Sequence, residues 1–164
     1  MHLSESIRRG VQHRAPFHDH VEQIIASDSG LTVRCDVSSA ERLGCAMTQL
    51  ELVEVAPDAL TIEELDARAE KICSKVTYLL EPLRKIELDA QTKAVLLRSK
   101  QPKQIGPKVC YYEILADAKR RTSLKRYCFD PELRKRFAVE FLLTSDQLEL
   151  LVDDLIVVAN GIRN

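Results

Sequence analysis

The chain has 164 residues, 45% hydrophobic and 30% charged, with a formal net charge of −1. This size and balance suit one folded domain and exclude a low-complexity or disordered chain. No apolar run approaches the ~20 residues that a membrane-spanning helix needs. The opening MHLSESIRRGVQHRAPF lacks the apolar stretch of a secretory signal, so the expected location is cytoplasmic.

Residues 1–16 are polar and include a Gly and a Pro, and are expected to be a flexible N-terminal segment ahead of a single α+β domain over 17–164. Phe17, Val21, Ile24 and Ile25 recur at helical spacing with Gly30 just beyond, so 17–27 reads as a short helix, with a strand as the alternative. Leu31, Val33, Cys35 and Val37 alternate with polar residues, the pattern of a half-buried strand. Thr48 to Val55 reads as a second, antiparallel strand. In LTIEEL (60–65), Thr61 and Glu64 form a capping box, and Leu60 and Leu65 flank it as a hydrophobic staple. The helix carries Leu65, Ala69, Ile72 and Val76 on one face and ends before Pro82.

From there the period becomes two. Leu83 to Asp89 and Thr92 to Arg98 read as strands around a turn at Ala90-Gln91. SKQPKQIGPK reads as a loop, and Val109 to Ala116, Ser123 to Phe129 and Arg136 to Leu142 as three further strands. LTSDQL (143–148) repeats the capping box and opens a helix with Leu148, Leu151, Val152, Leu155, Ile156 and Ala159 as its apolar stripe. The expected fold is α+β: an antiparallel, meander-rich sheet of about six to seven strands, with two or three helices packed on one face.

Five cysteines (Cys35, Cys45, Cys73, Cys110, Cys128) are widely spaced, with no CxxC pair, and are expected to be reduced and mostly buried. All four histidines lie within the first twenty residues, and His18-Asp19-His20 does not make up the three or four fixed ligands of a metal site. There is no GxSxG elbow, P-loop or GxGxxG. No catalytic residue, metal or cofactor is therefore assigned.

Charge is segregated. Arg84 to Arg136 holds fifteen Lys/Arg and six Asp/Glu, a net of +9, and the remainder holds nine and nineteen, a net of −10. Within the block, Lys119, Arg120, Arg121, Lys125, Arg126, Tyr127, Arg134, Lys135 and Arg136 are the candidate nucleic-acid-binding residues. Basic grooves with aromatic platforms bind single strands, and Tyr111, Tyr112 and Phe129 could extend such a platform. A basic strand surface also resists aggregation, and this one could equally meet the chain's own acids, such as Asp153-Asp154. No named family is recognisable in these residues. The leading expectation is a small non-catalytic protein-interaction module whose partner is another protein or a second copy, as a homodimer. Nucleic-acid or polyanion binding is the alternative, and an enzyme with an unrecognised site the second alternative.

Overall fold

The structure, a computed structural model, describes residues 2–161. Its elements are α1 (Leu3–Arg14), β1 (Glu22–Asp28), β2 (Leu31–Ala40), β3 (Gly44–Glu54), α2 (Ile62–Lys75), β4 (Leu83–Asp89), β5 (Ala94–Ser99), β6 (Lys103–Ile105), β7 (Lys108–Asp117), β8 (Arg121–Asp130), β9 (Lys135–Val139), β10 (Phe141–Thr144) and α3 (Ser145–Asn160). The class is α+β, with three helices and one antiparallel sheet. The sheet has ten strands rather than six to seven. Three differences explain the higher count. The segment 17–27 supplies β1, which pairs with β2 from Glu22↔Val37 to Asp28↔Leu31. The loop 99–108 folds into a hairpin, with β6 paired to β7 and Gly106 at φ 60° in the turn. The stretch 136–142, read as one strand, breaks at Glu140 into β9 and β10.

The N-terminal segment also departs from expectation. Residues 3–14 form α1, and Leu3, Ile7 and Val11 are buried in the common core. These residues sit at i, i+4 and i+8, one face of a helix, and three apolar side chains suffice to dock it on β1, β2 and α3. The helix lies close: a Cβ at Gly10 would come within 2.8 Å of Ile24 Cγ2.

Both capping boxes form. Thr61 Oγ1 accepts from the Glu64 N–H at 3.1 Å, and Glu64 Oε1 accepts from the Thr61 N–H at 3.1 Å. Thr144 and Gln147 reproduce the pair at 3.1 and 3.0 Å. The helices cover one face of the sheet, where Val33, Cys35, Met47, Leu50, Leu97, Ile114 and Leu124 are fully buried. Among the described residues, the opposite face carries no helix.

The sheet forks. β3 and β8 pair only from Leu50↔Leu124 to Val53↔Arg121. Beyond that point β10 takes the start of β3, from Phe141↔Met47 to Thr144↔Gly44, while β9 takes the end of β8, from Val139↔Arg126 to Lys135↔Asp130. The chain reverses at Glu140 and lines both arms of the fork. At Gly44 a Cβ would approach the Leu143 carbonyl oxygen to 2.6 Å, so the β3–β10 pairing requires glycine there.

One cysteine expectation is overturned. Cys110 and Cys128 face each other across β7 and β8 and are joined by a disulfide. Eighteen positions separate them, so sequence spacing alone does not bring them together. Cys35, Cys45 and Cys73 are free.

Candidate functional site

The nine candidate nucleic-acid-binding residues do not converge. Lys119 and Arg134 lie in turns. Arg120 lies in a turn at φ 69°, and donates from Nη1 to Glu54 at 3.1 Å and from Nε to the Asp58 carbonyl at 2.9 Å. Glu54 also receives Arg68 at 2.9 Å, and Arg68 donates in turn to the Ala159 carbonyl at the end of α3. Arg120 therefore ties the β7–β8 turn to β3. Arg121 is exposed at the start of β8. Arg126 points to the helix side and is buried, paired with Glu81 and lying 4.3 Å from the Tyr112 ring centroid. Lys135 sits beside Phe137 at 5.9 Å.

Of the nine, Arg121, Lys125, Tyr127 and Arg136 fall on the helix-free face. Register there places Arg84 opposite Arg98, Arg98 opposite Glu113, and Glu113 opposite Lys125. Glu113 Oε2 accepts from Arg98 Nε at 2.9 Å and from Arg136 Nη1 at 2.7 Å. Tyr111 and Tyr127 stand side by side, with ring centroids 6.2 Å apart. Arg98 lies over Tyr111 and Arg136 over Tyr127, at 5.1 and 3.9 Å. Each ring thus has a guanidinium over one of its two faces, where a base would otherwise stack. Tyr112 is on the other face, in the core. Sequence reasoning missed Arg84 and Arg98 as members of this cluster, and only strand register brings them to it.

The acids outside the basic block that meet it are Glu54 and Glu81, with Asp66 and Glu70 on α2 meeting Lys85, and within the block Glu113 pairs with Arg98 and Arg136. Asp154 instead accepts a hydrogen bond from the Tyr78 hydroxyl at 2.9 Å, and Asp153 is exposed. Self-complementarity therefore exists, but it does not use the Asp153-Asp154 pair.

A second feature lies on the helix side of the fork. A cavity of about 310 Å³ is lined by Tyr78, Leu79, Leu80, Ile105, Tyr112 and Phe141, among others, with Arg126 in its wall. Three of its large apolar side chains are open to solvent: Leu80 at 71%, Ile105 at 50% and Leu142 at 74% exposure. They come from the α2–β4 connection, β6 and β10, so no local pattern in the sequence joins them.

The histidines point to separate acids, His18 to Glu41 at 2.6 Å and His20 to Glu22 at 2.8 Å. Among the described residues no group of three or more His, Cys, Asp or Glu is arranged to hold a metal. Burial pushes the Cys45 thiol up to about 11 and raises Cys35 further, so neither is a thiolate near neutral pH. No helix among the described residues is long and apolar enough to cross a membrane. No family model, curated protein or solved structure matches this chain.

Proposed function

We propose that this protein is a non-catalytic protein-interaction module that seats an apolar segment of a partner protein in the fork cavity. The observation that carries the reading is the convergence of Leu80, Ile105 and Leu142 on one concave apolar surface. Solvent-exposed apolar side chains scattered singly are ordinary, but a contiguous group around a cavity marks a binding surface. The polyanion reading has less support. Arg120 and Arg126 are engaged with buried carboxylates, and the Tyr111 and Tyr127 rings each have one face occupied by a guanidinium. The cytoplasmic location expected from the N-terminal sequence is not part of this proposal. The Cys110–Cys128 bond weighs against that location, because structural disulfides are uncommon in reducing compartments.

The test is a photo-crosslinking residue placed at Leu142 in the cells that make the protein, with the same residue at Ser27 as control. The expected result is a discrete adduct from position 142 and none from position 27. An adduct at twice the chain mass identifies a second copy as the partner. No adduct, or equal adducts from both positions, overturns the reading.

A further inference from the structure

The helix-free face holds a second cavity, of about 420 Å³, lined by Arg84, Ile86, Arg98, Ser99, Pro102, Val109, Tyr111 and Phe129. It lies on the other side of the sheet from the fork cavity. Two of its lining residues are cationic and the rest are mainly apolar or aromatic, and no Asp or Glu among the described residues lines it.

Arg84 and Arg98 sit directly opposite each other on β4 and β5. Like charges in directly opposed positions destabilise a sheet unless something lies between them. Arg98 has partial relief through its Nε bond to Glu113. That carboxylate is shared with Arg136. Arg84 is exposed and has no hydrogen-bond or ion-pair partner among the described residues. The pair thus leaves an uncompensated positive charge at the mouth of a cavity with Ile86, Val109 and Phe129 for walls.

We infer that this cavity binds a small oxyanion carried on an aromatic body, with Arg84 and Arg98 gripping the anion and Phe129 and Val109 receiving the ring. A guanidinium pairs with carboxylate or phosphate oxygens through two parallel N–H donors, and charge-assisted bonds of this kind are the strong ones. The apolar walls add the selection for a body, because a fully hydrated ion gains nothing from them. A polynucleotide would need continuous stacking surfaces, and each neighbouring tyrosine has one face taken by a guanidinium.

The probes are phenyl phosphate and adenosine 5′-monophosphate, with inorganic phosphate and adenosine as half-ligands. Binding is followed by the methyl resonances of Ile86 and Val109 during titration of the full chain. Both aromatic phosphates are expected to shift these methyls at millimolar concentration, and each half-ligand to bind at least roughly tenfold more weakly. Arg84→Gln, at an exposed and unpaired position, is expected to weaken binding by about tenfold without lowering the melting temperature, since it also relieves the repulsion from Arg98. Lys119→Gln, which removes the same charge from a turn outside the cavity, is expected to leave binding unchanged. Equal weakening by the two variants would show a general charge effect and overturn the site. So would inorganic phosphate binding as well as phenyl phosphate, or a single-stranded oligonucleotide binding where phenyl phosphate does not.

Discussion

Glu81 and Arg126, forty-five positions apart, form a buried ion pair in which Nη1 of the arginine donates to both carboxylate oxygens, at 3.2 and 3.3 Å. Each residue is 6% exposed. The guanidinium also lies 4.3 Å from the Tyr112 ring centroid. The pair links the connection ahead of β4 to β8, at the wall of the fork cavity.

Removing one member of this pair should be severe. Glu81→Gln leaves a buried guanidinium without its counter-charge, and is expected to cost about 3–5 kcal/mol in a denaturant melt. The double variant Glu81→Leu, Arg126→Met removes both charges and should recover most of that loss, because well-packed apolar replacements of buried pairs are often neutral. A Glu81→Gln melt that matches the parent would show that the pair is not buried in solution.

The basic turn should divide sharply under charge reversal. Arg120→Glu places a second carboxylate against Glu54, which is buried, and is expected to destabilise by several kcal/mol, on the order of a broken buried pair. Lys119→Glu and Arg121→Glu alter exposed side chains and should stay within about 0.5 kcal/mol of the parent. Urea midpoints for the three single variants check this.

The N-terminal helix is expected to be integral to the fold. Ile7 is completely buried, and Ile7→Ala should cost about 2–5 kcal/mol by leaving a cavity between α1 and its neighbours. Deleting residues 1–15 should yield a chain that melts at lower temperature or is insoluble. A truncated protein with the parent melting temperature would show that α1 is dispensable.

Tyr78 predicts an alkaline effect. Burial first, and then its hydrogen bond to Asp154 with the charges of Asp154 and Asp153, hold its hydroxyl well above its ordinary value. The folded state thus favours the protonated phenol. The associated stability is fully present below about pH 10 and is lost as the pH rises above that value toward the folded-state pKa. Tyr78→Phe should therefore flatten part of the fall in stability above about pH 10, as read from denaturant melts. Tyr112, also raised by burial, should keep the remainder of the slope.

Local patterns determined much of this protein from the sequence alone. Alternation marked β2, β5, β7 and β8, because a strand packed on one face buries every second residue. The boxes at Thr61 and Thr144 located the starts of α2 and α3, because a cap acts within three residues of itself. The Leu3, Ile7, Val11 spacing of α1 was present too, but weak beside its polar composition. Tertiary structure alone decided which distant residues became neighbours. The pairing of Cys110 with Cys128, the row from Arg84 to Lys125, the burial of Arg126 and the meeting of Leu80, Ile105 and Leu142 all depend on strand register or on the fork between β3 and β8. Periodicity says which face a residue takes. It does not say which strand lies beside it, because that choice is made by packing across loops, and a shift of one residue would move every side chain to the opposite face.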